Sequence, residues 1–252
     1  MHPTDKAARV AGAVYLSMAV TAPFSLIYIP RALIVQGNAT ATANNILAHE
    51  TLFRLGIVAD LITAVIFILL GMALYRLLSG VNKTHASLMV VLVLVSATIG
   101  FMNVLNNIAA LTLFRGADFL AVFDKPQRDA VAMLFLGLHG QGLVINEIFW
   151  GLWLFPFGVL VMRSGFLPRI LGVLLIVNCF AYLAASLTSL LLPDYASVVS
   201  RAILPALTGE LWIALWLLIK GAKVSVSVKV SVSVPCITIS PLSVGRIGHI
   251  GT

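Results

Sequence analysis

Residues 52–74 read LFRLGIVADLITAVIFILLGMAL, a mainly apolar run that contains one arginine and one aspartate. An α-helix needs about 20 predominantly apolar residues to cross the hydrocarbon core of a membrane. The run therefore predicts a transmembrane helix. The acidic residue inside it, Asp60, requires a physical reason, because an ionised group is costly in hydrocarbon.

Five further runs have the same character. We expect membrane spans at residues 10–33, 52–74, 86–114, 130–162, 168–191 and 198–219. The first run resembles the apolar part of a signal peptide, but it is longer and lacks a clear small-residue cleavage site, so we interpret it as a retained helix. The fourth run is too long for a perpendicular crossing, which indicates a tilt, a kink at Gly140 or Pro156, or a start above the bilayer.

The composition of the whole chain supports a membrane protein. Of 252 residues, 60% are hydrophobic and 10% are charged, whereas about a quarter of the residues of a soluble domain are charged. The excess apolar surface must face lipid, so the bilayer is the expected partner. The sequence therefore predicts an all-α, polytopic transmembrane helical bundle of about six helices.

The basic residues indicate orientation rather than nucleic-acid binding. The 16 Lys and Arg residues exceed the 9 Asp and Glu residues, but no basic cluster with interleaved aromatic residues occurs, so nucleic acid is not an expected partner. With both termini in the cytoplasm, ten of these 16 basic residues lie inside and six lie outside. The positive-inside rule favours this orientation. The outer ones would be Arg31, Arg54, Arg115, Lys125, Arg128 and Arg201.

The chain changes character at Lys223. Residues 223–240 read KVSVSVKVSVSVPCITIS, which begins as an alternation of Val with Ser or Lys. Period two is typical of a strand, and the repetition is of low complexity. Two interpretations remain open. One is an edge strand or interaction tail, and the other is a poorly ordered extension that lies outside the folded domain. We divide the chain into a six-helix domain, residues 1–222, and a low-complexity, disordered C-terminal tail, residues 223–252.

Three acidic residues lie inside predicted spans. Asp60 and Glu147 each precede an arginine by 16 residues, which places both carboxyl groups about 24 Å from that end of the bilayer at 1.5 Å per residue. This is the outer half of the membrane in the predicted orientation. Glu210 precedes a lysine by ten residues and lies deeper. One expectation is that these acids are protonated or paired, Asp60 for example with Arg54, and Glu210 with Arg201 or with Ser and Thr neighbours.

Other polar side chains gather at the depth of Asp60. Asn103 and Asn107 share a helix face, and so do His139 and Asn146. They predict either a hydrated pocket, which holds a polar ligand or passes protons, or structural hydrogen bonds between helices. The candidate ligand-binding residues are Asp60, Asn103, Asn107, His139, Asn146, Glu147 and Glu210.

The sequence contains none of the common enzyme motifs, namely the Gly-x-Ser-x-Gly motif of hydrolases, the phosphate-binding loop and the His-Glu-x-x-His motif of metalloproteases. No two metal-ligating side chains lie four residues apart on one predicted helix. The two cysteines, Cys179 and Cys236, have no disulfide or metal-ligand spacing. We therefore predict no catalytic residue, metal site or cofactor. Gly137, Gly140 and Gly142 predict close contacts between helices.

Four segments carry a family resemblance. They are KAARVAGAVYL (residues 6–16), FRLGIVADL (residues 53–61), FWGLWLFPFGVLVMRSGFL (residues 149–167) and PRILGVLLIVNCFAYL (residues 168–183). The chain resembles, over about residues 5–222, the bacterial integral-membrane family called domain of unknown function 4386. The resemblance implies a helical bundle in a bacterial plasma membrane and brings no activity, substrate or catalytic residue. The tail departs from the resemblance.

Three classes of function remain open from the sequence. The first is a carrier, or a binding and sensing protein, that handles a small polar molecule or ion at the outer-half polar cluster. The second is an intramembrane enzyme that acts on a lipid-like substrate with Glu147 and His139 as acid and base. The third is a structural subunit without a site. We expect Glu147→Gln to keep the fold and lose the ligand response.

Overall fold

A computed structural model describes residues 3–222 of the chain. That part is nearly all helical and contains no strand, and six of its helices are long and apolar enough to cross a membrane. We call them the first to the sixth span. They are Asp5–Leu33, Glu50–Leu78, Lys83–Arg115, Lys125–Arg163, Arg169–Leu191 and Pro193–Ile219. The predicted helical bundle with six spans is confirmed, and the predicted tail lies outside the described residues.

Short polar sequences set the ends of the spans. Asn82 caps the third span by accepting a hydrogen bond from the backbone N–H of His85 at 2.9 Å. Gly116 ends that span with a φ of 68°, a conformation that favours glycine. Asp124 and Gln127 form a capping box at the start of the fourth span. These caps fix both ends of the third span and the start of the fourth.

The six spans form a ring. Each span packs against the next one along the chain, and the sixth packs back against the first. A short helix outside the spans, Ala39–Ala48, buries Ile46 against one end of the ring. The prediction did not include this helix, because ten residues of mixed polarity are too short to cross a membrane.

Two apolar clusters fill the two ends of the ring. One contains Leu70, Phe157 and Leu175, and the other contains Leu33 and Phe114, all of them buried. Many large apolar side chains instead point outwards along the spans, which suits contact with lipid. The level between the two clusters holds most of the polar side chains that the sequence analysis singled out.

Three spans are interrupted. The first runs through the helix Pro3–Pro23, which begins two residues before the span, then a π-helical segment Phe24–Tyr28, and then Ile29–Leu33. The fourth consists of Lys125–Leu152 and Leu154–Arg163. The sixth consists of a 3₁₀ turn Pro193–Tyr195 followed by Ala196–Leu207 and Gly209–Ile219.

Proline explains where the interruptions fall. A proline inside a helix has no N–H to donate and its ring clashes with the preceding turn. Pro156 lies one turn after Leu152, where the first helix of the fourth span ends, and Pro205 lies just before the break in the sixth. Pro30 follows the π-helical segment. Of the two positions that the sequence offered, the break lies near Pro156, at Trp153, whereas the helix continues through Gly140.

The glycine prediction for the fourth span is correct at one position. A Cβ on Gly142 would meet the side chain of Asn103, but one on Gly137 or Gly140 would meet nothing within 4 Å. The prediction for those two glycines is wrong, because both lie on the outward face. The tightest crossing with the fifth span instead joins Gly158 and Gly172, each of which approaches the carbonyl oxygen of the other.

Candidate functional site

A cavity with a volume of about 170 Å³ lies at the level between the two apolar clusters. All six spans contribute residues to its wall. Five of the seven candidate residues line it, namely Asp60, Asn103, His139, Asn146 and Glu210. The wall is mostly apolar with these polar groups set into it, and a volume of this size has room for several water molecules, since about 10–15 Å³ suffices for one.

Asp60 and His139 face each other across the second and fourth spans. His139 Nε2 lies 3.9 Å from Asp60 Oδ2, and both side chains are 15% exposed. Ser25, from the π-helical segment of the first span, lines the same cavity, and its hydroxyl donates to the backbone oxygen of Ala22 at 3.3 Å. Three spans therefore contribute polar side chains to this side of the wall.

The asparagines of the third span hold the imidazole of His139. Its Nδ1 lies 3.3 Å from the backbone oxygen of Asn103, and its Nε2 lies 3.4 Å from Nδ2 of Asn107. An imidazole with its proton on Nδ1 satisfies both partners, because it then donates to the carbonyl and accepts from the amide. The Asn103 amide in turn donates to the backbone oxygen of His139 at 2.9 Å.

Asn146 extends the polar wall towards the third span. Its side-chain oxygen accepts a hydrogen bond of 2.8 Å from the hydroxyl of Ser96, and both side chains are buried. The contact fixes the orientation of the Asn146 amide at the cavity.

Glu210 forms the second acidic wall. Its Oε2 accepts a hydrogen bond of 2.5 Å from the Tyr15 hydroxyl, and its Oε1 accepts one of 3.0 Å from Nδ2 of Asn178. Tyr182 lies beside the same carboxyl group. The first, fifth and sixth spans are therefore joined through one carboxyl group, which lies in the first turn of Gly209–Ile219.

Aromatic side chains line the rest of the wall. Phe67, Trp150, Trp153 and Tyr182 border the cavity. Trp153 is 1% exposed, stacks on Phe157 and meets the ring of Phe67 edge to face at 5.1 Å between centroids. The cavity thus combines two carboxyl groups with several large rings, which suits a small ligand that has both polar and apolar parts.

The interruptions of the three spans coincide with the cavity. Ser25 lies in the π-helical segment, Trp153 separates the two helices of the fourth span, and Glu210 follows the break in the sixth. All three residues line the cavity. The irregular backbone is therefore concentrated where the polar groups are.

The remaining two candidate residues lie beside the cavity. Asn107 contacts His139 without lining the wall, and Glu147 is half-buried, also outside the lining residues. Over the described range, 3–222, the carboxyl group of Glu147 has no hydrogen bond or ion pair. The structure therefore brings six of the seven candidates into one connected cluster and leaves Glu147 at its margin.

The expected charge partners are wrong. Arg54 bonds Glu50, one turn earlier, at 2.7 Å, and Asp60 faces His139 instead. Arg201 donates to the backbone oxygen of Ser197, whereas Glu210 binds a tyrosine and an asparagine. Glu50 lies four residues before Arg54, on the same face of the helix, whereas Asp60 lies six residues after it. This spacing favours the ion pair between Arg54 and Glu50.

Metal binding has no support in the arrangement. Within residues 3–222, no group of three or more His, Cys, Asp or Glu side chains is placed to hold a metal ion. Asp60 and His139 supply only two ligands, whereas a structural or catalytic zinc site uses at least three from the protein.

The family model described as "Domain of unknown function (DUF4386)" matches residues 10–221. The chain belongs to this family. A relative from Archaeoglobus fulgidus, named only "Uncharacterized protein", is 31% identical over 169 residues, which is 67% of this chain and 85% of the relative. No solved structure matches the chain.

Membership of the DUF4386 family covers the whole ring but assigns no chemistry to the cavity. Sequence reasoning missed several of the residues that build this cavity in the DUF4386 fold. Asn178, a polar residue inside the fifth apolar run, carried the same signal as the asparagines of the third run. The others are Tyr15, Ser25, Phe67, Ser96, Trp150, Trp153 and Tyr182. Rings and hydroxyl groups are common in spans, so their types alone gave no signal.

Proposed function

We propose that this protein binds a small polar molecule or ion in the central cavity, as a carrier or as a binding and sensing protein of the membrane. The observation that carries the proposal is the coincidence of polar side chains with three interrupted helices at one level of the ring. Ionisable groups within spans are rare, and they mark ligand or ion paths when they face a cavity inside a bundle.

The interrupted backbone supports binding rather than simple packing. The interruptions are local, because Trp153 and Thr208 keep right-handed helical backbone angles and Phe24–Tyr28 is a π-helical turn, a form that is frequent at functional sites. Carrier proteins commonly build their sites from discontinuous helices near the middle of the bilayer. The breaks next to Ser25, Trp153 and Glu210 fit this pattern.

The setting of the site follows from the sequence. We propose that both termini lie in the cytoplasm, since ten of the 16 basic residues then lie inside, and that the membrane is the plasma membrane, as the family resemblance implies. The functional unit is the six-helix domain, residues 1–222, without the tail. Asp60 and His139 then lie in the outer half of the bilayer.

The enzyme alternative gains no support from the arrangement. It required Glu147 and His139 to act together as acid and base, but only His139 lines the cavity. A structural subunit without a site is the competing explanation. It differs from the proposal in one measurable property, which is whether polar solutes reach the cavity.

Cysteine accessibility tests the proposal. Ala64→Cys and Val65→Cys are introduced separately into the full chain after Cys179→Ala and Cys236→Ser. Ala64 lines the cavity, whereas Val65, the next residue, is 48% exposed on the outer face of the ring. Membranes are treated with hydrophilic methanethiosulfonate reagents of either charge, and modification is measured by mass.

The two thiols are expected to differ. The cysteine at position 64 should be modified, because a binding cavity must admit polar solutes, and the one at position 65 should not, because it faces lipid. Equal protection of both thiols from every reagent would show a sealed, structural cavity and would overturn the proposal.

A further inference from the structure

The charge balance of the cavity wall is unequal. Asp60 and Glu210 supply two carboxyl groups, and His139 is the one basic side chain among the lining residues. The arginines and lysines that form ion pairs in the described part do so with Asp5, Glu50 and Asp129, none of which lines the cavity. The cavity therefore has acidic groups without an equal number of cations.

The hydrogen bonds of Glu210 suit a carboxylate that still has room for a ligand. Both of its oxygens accept, one from Tyr15 and one from Asn178. A carboxylate has about four lone-pair positions, so these two bonds leave others free to accept from N–H donors. Its place in the first turn of Gly209–Ile219 also puts the positive end of that helix at the carboxyl group itself, which leaves that end less available to an anionic ligand.

The aromatic wall favours positive charge as well. The faces of aromatic rings attract cations, and the attraction grows in places from which water is excluded. Phe67, Trp150 and Trp153 line the cavity together with the two acids. Carboxylate and aromatic groups in one small cavity are the usual means of recognising an ammonium group.

The volume limits the size of the ligand. Pockets for drug-sized molecules commonly measure about 300–1,000 Å³, whereas this cavity measures about 170 Å³. A single small ring or a short chain that bears one charged group fits this limit better than a lipid or a peptide.

We infer that the ligand is a small organic cation, a primary amine or quaternary ammonium compound, whose charge is met by Glu210 and Asp60 and whose apolar part lies against Phe67, Trp150 and Trp153. This inference rests on the proposed function, because it names the class of ligand for the same cavity. It adds one consequence that the proposed function does not have, namely that the cavity binds a cation more tightly than a neutral or anionic compound of the same shape.

Three compounds of one shape test that discrimination. Benzylamine, benzyl alcohol and benzoate share a ring and differ mainly in being positive, neutral and negative at neutral pH. Each is titrated into the purified full chain in detergent, and binding is followed by tryptophan fluorescence and by the melting temperature. Benzylamine is expected to bind at least tenfold more tightly than the other two. Tetramethylammonium, without a ring, is the probe for the quaternary class.

Substitution of the acidic residues tests whether their charge is needed for benzylamine binding. Glu210→Gln is expected to weaken benzylamine binding at least tenfold and to leave benzyl alcohol binding unchanged, because it removes charge but keeps shape. Asp118→Asn is the matched control, since Asp118 is an exposed acid outside the spans. If Glu210→Gln fails to fold, Asp60→Asn gives the same comparison at the other wall.

A second measurement does not depend on either acid variant. The cysteine at position 64 is expected to react at least tenfold faster with the trimethylammonium methanethiosulfonate reagent than with the sulfonate reagent, after correction for their rates with a free thiol. Faster reaction of the sulfonate, or tighter binding of benzoate than of benzylamine, would overturn the cation inference and leave the proposed function standing. Protection from both reagents would reject the proposed function itself.

Discussion

The crossing of the fourth and fifth spans at Gly158 provides the sharpest test of the packing. A Cβ added to Gly158 would lie 2.7 Å from the carbonyl oxygen of Gly172 and 2.8 Å from Cγ1 of Ile176. Carbon atoms in proteins pack best at about 3.5–4.0 Å, so the two helices would have to separate by several tenths of an ångström. The oxygen belongs to the backbone and cannot turn away, as a side chain could.

The magnitude follows from that overlap. Overpacking a close contact by one methyl group costs about 1–3 kcal/mol. The matched control is Gly140→Ala, where a Cβ would meet nothing within 4 Å. That change should gain about 0.5–1 kcal/mol, because glycine inside a helix is less stable than alanine. Gly158 also lies inside a helix, so Gly158→Ala has the same gain, and the two variants should differ by the overpacking cost of about 1–3 kcal/mol in the free energy of unfolding.

The assay is thermal unfolding of the two purified variants in the same detergent. At about 2–4 °C per kcal/mol for a chain of this size, Gly158→Ala should melt several degrees below Gly140→Ala. Gly172→Ala should resemble Gly158→Ala, and the double variant should cost less than the sum, because the first substitution already separates the helices. Equal melting temperatures for Gly158→Ala and Gly140→Ala would refute the crossing.

Four further predictions concern topology, the tail and the acidic groups. A reporter fused after Lys220 should read as cytoplasmic, and a periplasmic signal would reject the orientation. Deletion of residues 224–252 should leave expression and melting temperature nearly unchanged, which a loss of folded protein in detergent would contradict. Tyr15→Phe should lower stability by about 1–3 kcal/mol in thermal unfolding, because Glu210 loses a buried donor; an unchanged melting temperature would contradict that bond. Glu147→Gln should keep the fold, and a variant that melts many degrees lower would show that the carboxylate is structural.

The sequence could predict the six spans because the bilayer imposes a simple length requirement. An apolar run of about 20 residues has few stable alternatives to a membrane helix. Proline also carried enough information to predict the interruption near Pro156, since its missing N–H breaks the same bond in any helix. The π-helical segment was not predictable in this way, because Pro30 alone does not decide between a kink and a π turn.

The candidate site was predictable only as far as polarity inside a span reveals it. Asp60, Asn103 and His139 stood out because each is expensive in hydrocarbon, and the structure brings them together. Tyr15 and Glu210 are 195 residues apart, and no spacing rule connects positions on two spans that meet only when the ring closes. Helix periodicity fixes which residues share a face, but the rotation of each helix in the ring depends on all of its neighbours.

The cost of the cavity argues that the polar cluster serves a ligand. Space that side chains do not fill lowers the stability of a bundle, because the atoms that line it lose packing contacts. Replacing buried ionic groups by well-packed apolar residues is often neutral or stabilising, so a bundle needed only for its shape would be at least as stable with this level filled. Asp60 and Glu210 instead lie on a cavity wall at the level where helices break. A group that enters from outside and meets both acids accounts for the acids, the breaks and the space together.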